Sequence, residues 1–237
     1  MSAVMPTVTL DIQRVAVVDD DTEQAEVTSL WLEEADFQPI IIRTERPFDR
    51  PQEVVELIRT QADGAVCDHR LTHHRFSVFN GAELSASLYD SKIPSILTTQ
   101  YVDMDVDVSI RKWRHKIPVL LSRDATDSES IRLGLLASYQ EILGQMSAAR
   151  RPHKSLIRVT DMGDESEVTV LDVIIPSWNP LRAVRFPLSL IPVALQGSVV
   201  AGTRLFASVN IGAEDSQELY FDGFELAPEP DPNNGLA

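Results

Sequence analysis

Residues 15–21 read VAVVDDD: four apolar residues run straight into three carboxylates. Residues 64–70, GAVCDHR, repeat the shape, a short apolar run stopped by Asp68. An apolar run without polar alternation predicts a strand covered on both faces. Such strands belong to parallel sheets with helices on either side. The two stretches therefore predict a layered α/β unit in which acids cluster at strand ends.

The neighbouring sequence extends the pattern. DTEQAEVTSLWLEEADF reads as a helix with Asp21 or Thr22 as its N-cap, and QPIIIR as a second strand. RPQEVVELIRTQ carries Pro51 in a first helical turn, and NGAELSASLYDS is a further helix. IPSILTT and IPVLLS are strands four and five. VDMDVDVSIRKWRH is expected as a weakly patterned helix between them, and DSESIRLGLLASYQEILGQM as a long closing helix. The fold class over residues 13–148 is thus α/β, doubly wound, with five β–α units. SAARRPHKS ends the last helix, because Pro152 cannot continue it, and residues 149–154 are expected as a linker. Over residues 155–227, five short β-branched runs alternate with turn residues, which predicts a small all-β barrel or sandwich. Residues 1–12 are expected as an N-terminal arm, and the Pro/Asn/acid-rich residues 228–237 as a disordered tail.

Composition narrows the function. Of 237 residues, 21 are Lys or Arg and 36 are Asp or Glu, for a formal charge of −15. Such a chain repels nucleic acid and anionic lipid unless a basic patch reverses the field. The densest basic stretch, RKWRHK at 111–116, runs at once into an apolar strand and reads as a solvated helix end. From residue 152 onward, five Lys/Arg stand against twelve Asp/Glu, which argues against a DNA-binding output. The lone Cys67 excludes an intrachain disulfide. No apolar stretch approaches the ~18 residues of a membrane helix, and the opening MSAVMPTVTLDIQR lacks the basic and apolar regions of a signal peptide. A cytoplasmic protein is expected.

In a parallel α/β sheet, ligands bind outside the carboxyl ends of the strands, at the topological switch point. If strands one and three are neighbours, Asp19, Asp20 and Asp21 converge with Asp68. Like charges so placed raise each other's pKa, and a divalent cation relieves them. Mg²⁺ suits an all-oxygen set completed by phosphate and water. Thr98 and Thr99 end strand four, one of them directed to the pocket by alternation.

These residues resemble the receiver domain of bacterial response regulators, over roughly residues 13–148. The matching motifs are the acidic pair in VVDD (Asp19, Asp20), VCDHRL with Asp68, FNGAEL at 79–84 and ILTTQ with Thr99. The resemblance implies that Asp68 accepts a phosphoryl group from a histidine kinase or another phosphodonor protein. It implies Mg²⁺ held by Asp19, Asp20, Asp68 and the backbone carbonyl of Arg70, with Thr99 as the switch hydroxyl. The family's Lys-Pro after strand five is missing: the segment reads VLLSRD, with Ser122 near the Lys position and Arg123 beside it as a replacement cation. The family's aromatic switch is also absent, Pro118 and Val119 standing there, and HRLTHHRFSVFNG is long enough to form a different lid.

Three functions stay open. One is an atypical response regulator acting through protein–protein contacts of its β domain. The second is a phosphorylation-independent pseudo-receiver that binds proteins. The third is a Mg²⁺-dependent phosphohydrolase, which lacks a general acid two residues after Asp68, where Arg70 stands. His69, His73 and His74 beside Asp68 raise a transition-metal alternative, with irregular spacing against it. Trp113 and Trp178 are read as core or half-buried residues rather than partner contacts. A homodimer is left open.

Overall fold

The computed structural model describes residues 11–100, 109–165 and 168–228. The chain forms two units: residues 1–105 with 116–147, and residues 106–115 with 148–237. The expected N-terminal arm and C-terminal tail fall almost wholly outside the described residues.

In the first unit, β1 (Arg14–Val18), β2 (Gln38–Ile41), β3 (Gly64–Asp68), β4 (Ser95–Thr99) and β5 (Val119–Ser122) form one sheet. Its order is β2-β1-β3-β4-β5, with every pairing parallel. This is the doubly wound order whose switch point lies between β1 and β3. Val15, Val17, Val66, Ile96, Ile131 and Leu135 join one core cluster, as the unbroken apolar runs require.

Of the helices α1 (Thr22–Glu34), α2 (Pro51–Gln61), α3 (Gly81–Asp90) and α4 (Ser128–Ile142), α1, α3 and α4 start where an N-cap side chain accepts an open amide, and α2 starts at Pro51. Asp21 Oδ1 accepts from the Glu23 and Gln24 amides at 2.9 and 3.4 Å. Asn80 Oδ1 accepts from the Glu83 amide at 3.0 Å. On α4, a Cβ at Gly134 would press on Ile96 and Val119, so this glycine sets how closely the helix approaches β4 and β5. Ser138 Oγ, fully buried, accepts the Ser95 amide at 2.9 Å where β4 begins.

The helix expected over 102–115 is tested only in its described part: Ser109 and Ile110 are π-helical, residues 111–113 form a turn, and a single 3₁₀ turn follows at Arg114–Lys116. Residues 101–108 lie outside the described residues. Among its described residues Ile110, Arg111 and Arg114 are buried, so the basic stretch at 111–116 is not the solvated helix end expected.

The second unit is all-β. Strands β6 (His153–Glu165), β7 (Val168–Ile175), β8 (Asn179–Pro187), β9 (Arg204–Val209) and β10 (Phe221–Leu226) form an antiparallel sheet of order β10-β9-β6-β7-β8. Alternate residues of β6 (Ile157, Val159) and β9 (Leu205, Ala207, Val209) enter one core with Leu171, Val173, Phe186 and Phe221. β8 and β10 are opposite edges, yet the Phe186 and Phe221 rings lie 4.8 Å apart. The sheet is therefore rolled on itself, its curl aided by irregular register in β6 and β10. Segment 109–115 is built into this unit. Arg111 is 1% exposed and donates to the Ser216 and Leu219 carbonyls at 2.7 and 2.8 Å. Arg150 donates to the Arg114 and His115 carbonyls at 3.1 and 3.0 Å and stacks on Tyr220.

Candidate functional site

Because β1 and β3 are neighbours, their terminal acids meet. One carboxylate oxygen from each of Asp19, Asp20 and Asp68 lies within 4.8 Å of the others. Asp21 has a different task, capping α1, so the triple acid divides into two site residues and one cap. The pocket over the cluster, about 190 Å³, is lined by Asp68, Arg70, His73, His74, Gln100 and Arg123 beside the β1 acids.

The carboxylates are already held by the protein. Asp19 Oδ1 accepts from the Asp21 amide at 2.9 Å, and Asp68 Oδ2 from the Arg70 amide at 2.7 Å. Arg123, on the 3₁₀ turn that follows β5, places Nη2 3.2 Å from Asp19 Oδ2 and in a direct ion pair with Asp68 Oδ1. Burial pushes the Asp19 carboxyl up to about 7; the Asp68 charge adds to this, while the Asp21 amide and Arg123 work against it. Cys67, beneath the cluster, is pushed up to about 12 by burial, which leaves it an inert thiol.

Backbone geometry fixes Asp68 as tightly as charge does. The Gly81 amide donates to the His69 carbonyl at 2.8 Å. A Cβ on Gly81 would collide with the Asp68 carbonyl oxygen, so α3 can start here only with glycine.

The β3–α3 loop forms an ordered cover. Phe48, between β2 and α2, makes a parallel bridge with Ser77, exchanging hydrogen bonds with Phe76 and Val78 at 2.9 and 3.1 Å. The Phe48 and Phe76 rings lie 5.3 Å apart. The His74 amide donates to Asp20 Oδ2 at 2.8 Å, pinning the cover to the cluster. Among the described residues the metal-ligating group consists of carboxylates alone, although His74 Nδ1 stands 4.0 Å from Asp20 Oδ2. Thr99 ends β4 fully buried but does not line the pocket; Thr98 donates to the Cys67 carbonyl at 3.3 Å, and Gln100 takes the pocket wall.

The donor set fits Mg²⁺ in kind, since it consists of hard carboxylate oxygens converging from two strands. The same three carboxylates are held by Arg123 and the His74 amide, so a cation enters in competition with the protein's own donors. Sequence reasoning named His74 only as a transition-metal candidate and missed Gln100. The His74 contact with the Asp20 carboxylate is made through its amide, which no residue type announces.

No family model and no curated protein matches the chain. Several solved structures do. A sensor protein from Polaromonas sp. JS666 is 13% identical with a TM-score of 0.43, over 55% of this chain and 98% of its own. A response regulator receiver domain protein from Clostridium thermocellum is 12% identical with a TM-score of 0.42, over 56% and 99%. The signal receiver domain of an HD domain-containing protein from Pseudomonas fluorescens Pf-5 is 17% identical with a TM-score of 0.41, over 60% and 96%. The latter two are receiver domains by name, and the receiver-like fold of the first unit rests independently on its strand order.

Proposed function

We propose that the chain is an atypical response regulator whose Asp68 accepts a phosphoryl group. The observation that carries this reading is the convergence of Asp19, Asp20, Asp68 and Arg123 at the carboxyl ends of β1, β3 and β5. In the transfer, an Asp68 carboxylate oxygen attacks phosphorus and the P–N bond to a histidine of a kinase breaks. The bond pair leaves on the imidazole nitrogen, which takes up a proton, and Asp68 becomes an aspartyl phosphate. Arg123 turns from the free carboxylate to the phosphoryl oxygens and offsets their charge. Asp19, Asp20, Asp68 and the Arg70 carbonyl would hold Mg²⁺, which when bound screens the dianionic phosphoryl group. Thr99 supplies the switch hydroxyl. The output runs through protein–protein contacts of the β unit in the cytoplasm, without nucleic acid or membrane. Among the described residues no helix is long and apolar enough to cross a membrane.

A second reading has its own support. Arg123 already pairs with both Asp19 and Asp68, and Thr99 stands outside the pocket lining, as suits a pseudo-receiver that binds proteins without phosphorylation. Beryllium fluoride, a phosphoryl analogue, separates the two. The first reading expects a bound-fluoride ¹⁹F signal that requires Mg²⁺ and vanishes in Asp68→Asn. Absence of the signal in the folded wild type selects the second.

A further inference from the structure

Beside the acidic pocket lies a second cavity of about 210 Å³, between the start of α1, the end of β2 and the cover loop. It shares Asp19, Asp20 and His74 with the first pocket, but its outer wall carries Arg43 and Arg75. Several arginines of this unit hold carboxylates: Arg14 with Asp63, Arg46 with Glu53, Arg59 with Glu56, Arg132 with Glu129. Among the described residues Arg43 and Arg75 hold none, although the chain has an excess of 15 acids over bases. Arg75 adopts φ +60°, in the left-handed region.

We infer that this cavity binds the phosphate group of a small organic phosphate. Arg43 and Arg75 line one cavity, and guanidinium forks suit a tetrahedral oxyanion. Thr22, in the first turn of α1, lines the same cavity, where the helix dipole favours negative charge. Ala25, Ile41 and Phe76 form an apolar side for a short carbon body. The volume falls below the roughly 300–1,000 Å³ of drug-sized pockets, so a phosphate with a few carbons fits and a nucleotide does not. The inference does not rest on phosphorylation of Asp68: inorganic phosphate cannot form an acyl phosphate with a carboxylate unaided.

The test is calorimetric titration of the full chain with inorganic phosphate in the absence of Mg²⁺. The wild type is expected to bind saturably and more weakly as salt rises. Arg43→Gln and Arg75→Asn are each expected to weaken binding at least tenfold; asparagine keeps the left-handed backbone accessible, and circular dichroism checks the fold. Arg59→Gln, outside the cavity, should bind like wild type. No saturable binding by the wild type overturns the inference. So does loss of binding in Arg123→Gln with Arg43→Gln and Arg75→Asn unaffected, since the anion would then sit over Asp68.

Discussion

Arg123 is the fixed cation of the acidic pocket, bridging the side chains of Asp19 and Asp68. A guanidinium on those oxygens repels an incoming divalent cation. Arg123→Gln is therefore expected to tighten Mg²⁺ binding by on the order of tenfold, read by calorimetry; a charge pair a few ångströms apart near a protein surface carries enough energy for this. Weaker binding in the variant would show that Arg123 organises the carboxylates instead of competing for them. At Gly81 the constraint is steric. Gly81→Ala is expected to cost about 1–3 kcal/mol in denaturant unfolding, because the methyl must displace the Asp68 carbonyl or the start of α3. An unchanged midpoint would contradict that close approach. The acids and Arg123 are legible as residue types at strand ends, since strand polarity sends every carboxyl terminus to one side. The clamp of the His74 amide on Asp20 is not legible, since any residue but proline carries that donor.

Elements follow their hydrophobic period wherever one exists. The five parallel strands and the four long helices stand where unbroken apolar runs, caps and turn residues place them. The described part of the β4–β5 connection is anchored in part by Arg111, buried and bonded to the Ser216 and Leu219 carbonyls far along the chain, a pattern with no period to read. In the β unit, Asp172 on β7 faces Arg185 on β8, with two hydrogen bonds of 2.8 Å. Arg185 also pairs with Glu165 at the end of β6. The Arg185 hydrogen bonds hold the Asp172 carboxyl below the usual range, outweighing its partial burial. A depressed folded pKa gives stability that is present above the unfolded value of 3.8 and lost as pH falls through the folded one. The wild type should therefore melt higher than Asp172→Asn at pH 7, the gap closing as pH drops below about 3.8. A gap constant down to pH 2 would assign the effect to packing.

At the scale of the whole molecule, the chain leaves the receiver-like unit after β4, contributes residues 106–115 to the β unit, and returns for β5. Sequence reading placed the change of fold near residue 150 and had no means to see this earlier excursion. Neighbouring residues at its end are held by different units: the His115 carbonyl accepts from Arg150, while Lys116 pairs with Asp90 at 2.7 Å. Removing the Arg111 guanidinium strands the Ser216 and Leu219 carbonyls, so Arg111→Ala should destabilise the β unit by about 1–3 kcal/mol or more. Thermal unfolding followed by near-ultraviolet circular dichroism checks this, and a change under about 0.5 kcal/mol would be that of an ordinary surface site. The central claim concerns Asp68. Its most direct test is intact-mass spectrometry after incubation with acetyl phosphate and Mg²⁺, wild type beside Asp68→Ala. The account predicts a gain of one phosphoryl group in the wild type and none in the variant. A folded wild type that gains nothing, or a variant that gains as much, contradicts it.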